Sequence, residues 1–115
     1  MRPHKKLNVW KKAINFVTSI YEVTESFPES EKFGLVSQMR RAAVSIPSNI
    51  AEGAARNSNK EFLQFLSIAQ GSASELETQL IISEKLGFLK VENSLLFEEL
   101  EEISRMLLGL SKSLQ

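Results

Sequence analysis

The 115-residue sequence contains no cysteine, no aspartate and a single histidine, His4. Without cysteine there is no disulfide framework, no thiolate nucleophile and no cysteine-based zinc site. A hydrolytic triad needs a positioned histidine base, whereas His4 lies close to a chain end that we expect to fray. Di-iron sites in helical bundles need a Glu-x-x-His pair on two helices, and the sequence has no such pair. We therefore expect no enzymatic activity, no bound metal and no cofactor.

Long apolar runs are also missing, since the longest are only a few residues, such as Leu80-Ile81-Ile82. A membrane-spanning helix needs about 20 apolar residues, so we expect neither such a helix nor a signal peptide. The absence of cysteine favours the reducing cytoplasm as the location of the protein. Because a domain typically needs about 100 to 200 residues, we expect residues 1–115 to form a single domain.

Glycine and proline are scarce, at five and three residues, and every acidic residue is glutamate, which suits the interior of helices. Apolar residues recur at spacings of three and four in four successive segments. The predicted helices run over about residues 7–26, from Ser30 to between Gly53 and Asn57, from Ser58 to near Gly87, and over about residues 92–114. Short links make neighbouring helices antiparallel, so the predicted fold is an all-α, antiparallel up-down-up-down four-helix bundle.

Several residues predict where the helices begin, end or bend. Ser30 is the expected N-cap of the second helix, and Ser58 with Glu61 has the form of a capping box at the start of the third. Gly87 is the expected C-cap of the third helix. Pro47 lies inside the second helix and removes one backbone hydrogen bond there. We therefore expect the second helix to be kinked at Pro47 and not divided into two helices.

Each predicted helix has one apolar side that should face the core. The expected core residues are Leu7, Trp10, Ile14, Val17, Tyr21 and Thr24; Phe33, Leu35, Met39, Ala42, Ala43, Ile46 and Ile50; Phe62, Leu66, Ala69, Ala73, Leu76 and Leu80; and Leu96, Leu100, Ile103, Leu107 and Leu110. Further apolar residues of the last two helices lie outside these sets, namely Phe65, Ile68, Ile81, Ile82, Leu95, Phe97 and Leu108. They exceed what one core requires, so we expect them to form an oligomer interface.

A polar stripe follows the second helix between apolar and small residues. Its members, spaced 4, 4, 3 and 4 residues apart, are Arg41, Ser45, Asn49, Glu52 and Arg56. Pro47 leaves the carbonyl of Ala43 without its helical hydrogen bond. In the structural interpretation of the stripe, Ser45 or Asn49 bonds that carbonyl. Glu52 then pairs with Arg56, which follows it by four residues.

The basic residues also have a functional interpretation. Arg40, Arg41 and Arg56 then belong to a surface that binds phosphate or a neighbouring subunit. A second basic cluster surrounds Trp10 and contains Arg2, Lys5, Lys6, Lys11 and Lys12. Basic residues interleaved with an aromatic are typical of nucleic-acid binding. The alternatives are that Trp10 packs in the core and that the lysines form a solvated face.

The charges balance overall but are unevenly distributed. The chain has 14 basic and 14 acidic residues, so its formal net charge is zero. Residues 1–56 contain nine basic and five acidic residues, whereas residues 57–115 contain five basic and nine acidic ones. Opposite charges on the two halves of the sequence favour head-to-tail packing of copies, which closes into a ring when the rotation permits.

Motifs over almost the whole chain resemble those of one protein family. They include Leu7-x-Val9-Trp10-x-x-Ala13, Gly34-Leu35-x-x-Gln38-x-x-Arg41-Ala42-Ala43, Asn49-Ile50-Ala51-Glu52-Gly53-x-x-Arg56 and Ala69-x-Gly71-Ser72-x-x-Glu75-Leu76. In these motifs the chain resembles S23-type proteins, four-helix bundles encoded in intervening sequences of bacterial 23S ribosomal RNA genes. The bundle is also similar to the accessory variability proteins of diversity-generating retroelements. That similarity implies a homopentameric ring that works with a reverse transcriptase on nucleic acid.

Two hypotheses of function follow. The first is a non-enzymatic oligomer that binds RNA or DNA phosphates through a basic face of its ring. Each basic patch recurs once per subunit in a ring, so weak phosphate contacts add up by multivalency. The second is a protein-protein adaptor or scaffold that binds no nucleic acid. The resembled family is largely of unknown function and provides no catalytic residues.

Overall fold

The computed structural model describes residues 3–115, apart from the side chain of Val91. Over this range the chain is helical and contains no β-strand, which confirms the all-α prediction. The four α-helices are α1 (Asn8–Thr24), α2 (Leu35–Ala54), α3 (Asn59–Lys85) and α4 (Leu95–Ser113). Short 3-10 turns precede three of them, at Pro3–Lys6, Glu29–Glu31 and Val91–Asn93.

Side-chain hydrogen bonds between helices show their directions. Gln70 of α3 donates to the carbonyl oxygen of Ser104 in α4 at 3.0 Å, and Asn59 donates to that of Leu114 at 3.4 Å. Residue numbers therefore fall along α4 as they rise along α3, so the two helices are antiparallel. The chain forms an up-down-up-down four-helix bundle, as predicted, with extents of 43 × 24 × 22 Å.

The predicted core faces of α2, α3 and α4 are largely confirmed. The residues of these faces that are buried are Met39, Ala42, Ala43, Ile46, Ile50, Leu66, Ala69, Ala73, Leu76, Leu80, Leu96, Leu100, Ile103 and Leu107. Leu35, Phe62 and Leu110 pack half-buried against this core. The spacing of apolar residues therefore locates the core correctly in three of the four helices.

The predicted core face of α1 is only partly confirmed. The residues that α1 buries are Val9, Ala13, Phe16, Ile20 and Thr24, of which only Thr24 was predicted. Leu7, Trp10 and Val17 pack half-buried against the core, whereas Ile14 and Tyr21 are 38% and 43% exposed. Apart from Thr24, the two sets differ by about one residue, or 100° around the helix, and both repeat at three and four residues. The apolar arc of α1 is wider than one core stripe, and its largest side chains lie along the boundary with α2.

The predicted start of α2 is also wrong. Ser30 lies in the 3-10 turn that follows Pro28, where the backbone N–H of Glu31 donates to the carbonyl of Pro28 at 2.9 Å. The helix begins only after Gly34, so Ser30 does not cap it. Phe33 precedes the helix and is 90% exposed, so it does not belong to the core. From there α2 is one helix through Pro47 to Ala54, and its predicted end is confirmed.

Both predicted ends of α3 are confirmed. Ser58 Oγ accepts a hydrogen bond of 3.2 Å from the backbone N–H of Glu61, as an N-cap does. At the other end Gly87 has a φ of 79°, a left-handed conformation that glycine adopts without steric cost. The N–H of Gly87 bonds the carbonyl of Glu84, and the N–H of Phe88 bonds that of Ser83 at 2.9 Å. This is the Schellman pattern of helix termination.

The last helix begins later than expected. Its predicted start was near residue 92, but Val91–Asn93 forms a 3-10 turn and α4 begins at Leu95. The N–H of Asn93 donates to the carbonyl of Lys90 at 2.9 Å, which keeps this part of the chain in the turn.

Candidate functional site

The fold concentrates positive charge at one end of the bundle. When each helix is divided at its middle residue, residues 3–15, 46–71 and 104–115 belong to one end of the bundle and residues 16–45 and 72–103 to the other. The first set has eight basic and two acidic residues, a net charge of +6. The second has five basic and 12 acidic residues, a net charge of −7. These sets are called the basic half and the acidic half below.

This separation exceeds the one visible in the linear sequence. Lys60, Arg105 and Lys112 lie in the net-acidic second part of the sequence, yet the antiparallel fold brings them to the end that contains the amino-terminal lysines. These three residues were not predicted to belong to a basic surface, although pairing the ends of the predicted antiparallel helices would have revealed them. Each end of the bundle has two helix N-termini and two C-termini, so the helix dipoles largely cancel. The asymmetry is therefore due to side chains.

Most cations of the basic half are available to a ligand. Its basic residues are Lys5, Lys6, Lys11, Lys12, Arg56, Lys60, Arg105 and Lys112. Five of them are exposed and make no ion pair within residues 3–115, namely Lys5, Lys6, Lys11, Lys60 and Lys112. Lys12 pairs with Glu102 at 3.3 Å, and Arg105 pairs with Glu101 at 3.7 Å.

The structure separates Arg40 and Arg41 from the lysine cluster and from Arg56. Both belong to the acidic half, because α2 begins there. Arg40 lies 14 positions before the end of α2 at Ala54, about 21 Å at 1.5 Å per residue, and Arg56 lies two residues beyond that end. Arg2 lies outside the described residues, and the other seven basic residues singled out in the sequence therefore do not form one continuous surface.

Arg40 connects α1 to α2. Its Nε donates to Thr24 Oγ1 at 3.0 Å, and its Nη2 donates to the carbonyl of Tyr21 at 3.2 Å and to Glu25 Oε2 at 3.3 Å. The guanidinium also lies 4.5 Å from the centre of the Tyr21 ring. These contacts are structural, and they occupy donors that a phosphate would need. Arg41, the next residue, is exposed.

Arg56 makes the ion pair that the structural interpretation of the polar stripe predicts. Its Nη2 lies 3.4 Å from Glu52 Oε1, four residues earlier in the chain. The guanidinium also lies 4.9 Å from the centre of the Phe65 ring in α3. Both charged groups of the pair are exposed, so Arg56 is fixed loosely, and it lies in the link between α2 and α3 at the basic end of the bundle.

Ser45 connects α2 to α3, and Asn49 bonds Ser45 one turn earlier in α2. Neither side chain bonds the carbonyl of Ala43. Ser45 Oγ lies 2.9 Å from Ser72 Oγ of α3, and Asn49 Nδ2 donates to the Ser45 carbonyl at 2.8 Å and to Ser45 Oγ at 2.9 Å. The predicted partner was therefore wrong. A side chain in a helix reaches the carbonyl three or four residues before it, and Ala43 is two residues before Ser45 and six before Asn49.

Trp10 lies at the edge of the core, half-buried against it. Its ring meets that of His4 edge-on, with ring centres 5.0 Å apart. It also lines a surface cavity with Ile14 and Val17 of α1. The structure thus places Trp10 beside apolar groups of its own chain. This agrees with the interpretation in which Trp10 packs in the protein and does not stack on bases.

Five of the seven residues predicted to form an oligomer interface lie on different sides of the bundle, and the other two, Leu95 and Leu108, are exposed on α4. Phe65 is half-buried where α3 meets α2. The two helices approach closely there, since a Cβ added to Gly53 would lie 2.8 Å from Phe65 Cβ. Ile68 and Ile82 are exposed on the outer side of α3. Phe97 lines a surface cavity between α3 and α4, and the exposed Ile81 lies one helical turn beyond that cavity on α3.

Among residues 3–115, no helix is long and apolar enough to cross a membrane.

The chain is similar to proteins of known structure and to one family model. The family model for the 23S rRNA-intervening sequence protein matches residues 5–109. A crystal structure of a protein of unknown function from the S23 ribosomal protein family of Bacteroides thetaiotaomicron superposes with a TM-score of 0.83 at 25% sequence identity. The similarity covers 90% of this chain and 95% of that one. Among curated proteins, none matches the chain. Because the family model extends over nearly the whole bundle, the chain belongs to the family of 23S rRNA-intervening sequence proteins.

Proposed function

We propose that this protein is a non-enzymatic homo-oligomer that binds the phosphate backbone of RNA or DNA through its basic half. The observation that supports the proposal is the net charge of +6 on one half of the bundle, with five exposed lysines that make no ion pair within the described range. Lysine side chains that neutralise phosphates release condensed counterions, and this release drives binding of polyanions regardless of their sequence.

The zero net charge of the chain does not oppose this function. Charges in solution are screened over a Debye length of about 8 Å at physiological ionic strength. The bundle is 43 Å long, so a phosphate at the basic end is shielded from most of the glutamates at the other end. Binding is therefore governed by the local charge of the basic half.

Oligomer formation strengthens the proposed binding. Copies arranged side by side in a ring present one basic half each, and linked weak contacts add up to a strong one. A ring of five is the number that the resemblance to retroelement proteins implies. The names of the family and of the similar structure refer to 23S rRNA and to a ribosomal protein family, so structured RNA is the first ligand to test.

The experiment is a titration of the protein with a structured RNA and with single-stranded DNA over a series of salt concentrations. The variant Lys60→Ala/Lys112→Ala removes two cations from the basic half. Its matched control, Lys85→Ala/Lys90→Ala, removes two exposed lysines from the acidic half. We expect the first variant to lower the slope of log K against log salt by about one for each phosphate that it no longer neutralises, and the control to leave the slope unchanged.

Binding that is absent, independent of salt, or lowered equally by both variants contradicts the proposal. The second hypothesis, an adaptor without nucleic acid, is then the better one. Capture of partners from a nuclease-treated lysate separates the two, because an adaptor keeps its partner after nuclease treatment.

A further inference from the structure

An apolar groove lies on the surface between α1 and α2. One of its two cavities is lined by Trp10, Ile14 and Val17 of α1 together with Pro47 and Ala51 of α2. The second cavity, of about 620 Å³, is lined by Tyr21, Phe33, Val36 and other residues. Val44 lines both cavities and is 40% exposed, so they form one continuous groove, called the α1–α2 groove below.

The charged groups that line the α1–α2 groove are all basic. They are Lys32, Arg40 and Arg41 of its second cavity, and of these Arg40 pairs with Glu25 outside the lining. No lining residue of either cavity is acidic, within the part of the chain that the structure describes. The groove thus combines an apolar floor with a basic rim at one end.

The opposite side of the bundle has the complementary character. A surface cavity between α3 and α4 is lined by Glu77, Phe97, Glu98, Glu101 and Arg105, and the one cation among them pairs with Glu101. One turn beyond Glu77 along α3 is Ile81, which is 39% exposed. We call this surface the α3–α4 face. It combines the exposed Ile81 and the half-buried Phe97 with net negative charge.

We propose that the α3–α4 face of one copy docks into the α1–α2 groove of a second copy. The two surfaces match in charge, and each leaves apolar side chains exposed that the contact would cover. Helices α1 to α4 contact one another in sequence around the bundle, so the two surfaces lie on opposite sides. A contact between two different surfaces is heterologous and builds a ring or an open chain. This inference rests on the oligomer formation in the proposed function, and it names the surfaces that join.

A nucleic acid fits the groove less well than a second copy does. The cavity with Arg40 and Arg41 belongs to the acidic half of the bundle, whose net charge is −7. The guanidinium of Arg40 already bonds Thr24, Tyr21 and Glu25. Most residues that line the groove are apolar, which suits the exposed Ile81 and the half-buried Phe97 of the α3–α4 face.

Each test variant places one negative charge in one of the two surfaces, so that this surface can no longer form the contact. Val44→Glu places a carboxylate in the groove, and Ile81→Glu adds one to the already acidic α3–α4 face. Both positions are exposed, so the variants should fold with the helicity of the wild type. We expect each variant alone to have the mass of one 12.9 kDa chain by light scattering, at a concentration at which the wild type is assembled.

Mixing the two variants gives the sharper result. The intact groove of Ile81→Glu can accept the intact α3–α4 face of Val44→Glu, whereas the two blocked surfaces repel each other. We therefore expect an equimolar mixture to form a species of two chains and nothing larger. The matched control Ile68→Glu changes an isoleucine that is 52% exposed outside both surfaces, and it should keep the mass of the wild type.

Three results would overturn the inference. The first is a wild-type mass for either blocked variant, and the second is a mixture that contains only single chains. The third is a Val44→Glu protein that keeps its mass and loses affinity for structured RNA, because the groove would then be a nucleic-acid site. A wild type that is itself a single chain would remove the oligomer from the proposed function as well. Binding to the basic half is measured separately with Lys60→Ala/Lys112→Ala, so the two failures are distinguishable.

Discussion

Helix α2 has two different neighbours, and it packs on them differently. Against α3 it presents small residues, so that a Cβ on Gly53 would lie 2.8 Å from Phe65 Cβ and 2.9 Å from Phe62 Cδ1. Against α1 it leaves a groove in which Ile14 and Val44 stay exposed. Small side chains allow two helices to approach until no surface remains between them, whereas large ones hold them apart. The tight contact stabilises the bundle, and the open one is free to bind.

The largest expected effect tests which side of α1 belongs to the core. Phe16 is 1% exposed, and Phe16→Ala should lower the free energy of unfolding by about 3–5 kcal/mol. Ile14→Ala, in the open groove, should cost about 1 kcal/mol or less, because the side chain is already partly in water. Urea unfolding of both variants measures the difference. Equal costs for the two would mean that α1 is rotated toward the face predicted from the sequence.

The second prediction concerns the tight contact of α2 with α3. Gly53→Ala puts a methyl group against Phe65 and Phe62, and overpacking of this kind typically costs about 1–3 kcal/mol. Gly109→Ala is the matched control, since a Cβ there meets nothing within 4 Å. The control should stabilise α4 by up to about 1 kcal/mol, because alanine favours helix more than glycine does. Thermal unfolding should therefore shift in opposite directions, and two shifts of the same sign would contradict the close approach at Gly53.

The smallest effect distinguishes two adjacent arginines. Arg40→Ala removes the hydrogen bonds that connect α2 to Thr24, Tyr21 and Glu25 and should destabilise the fold by about 1 kcal/mol. Arg41→Ala changes an exposed side chain and should alter stability by less than about 0.5 kcal/mol. Urea unfolding, together with the mass in solution, checks both. If Arg41→Ala lost more stability than Arg40→Ala, Arg41 and not Arg40 would be the residue that connects α2 to α1.

The buried face of a helix could be predicted from the sequence where only one apolar pattern fits the helix, and not where two patterns fit equally well. The start and end of α3 were predicted correctly because the Ser58 cap, the heptad spacing and Gly87 have one consistent interpretation. In α1 two apolar stripes fit the same spacing, and only packing against α2 decides between them. The prediction took the stripe with Trp10 and Tyr21, whereas the bundle buries the one with Phe16 and Ile20.

The candidate site was predictable only in part for a related reason. The amino-terminal lysines are adjacent in the sequence and were recognised there. Lys60 and Lys112 join them because α3 begins and α4 ends at that end of the bundle, as the hydrogen bond from Asn59 to the Leu114 carbonyl shows. Charge summed along the chain does not reveal such a surface. Charge summed over the ends of paired helices does.

The opposite charges at the two ends of the 43 Å bundle also affect how the molecule moves before any contact forms. At low ionic strength, where the Debye length grows to about 30 Å, a polyanion would attract the positive end and repel the negative end, so the molecule would experience a torque. It would then rotate as it diffuses and arrive with its basic end toward the phosphates. At physiological ionic strength the field reaches only the nearer end, so the same charges would orient the molecule only at close range.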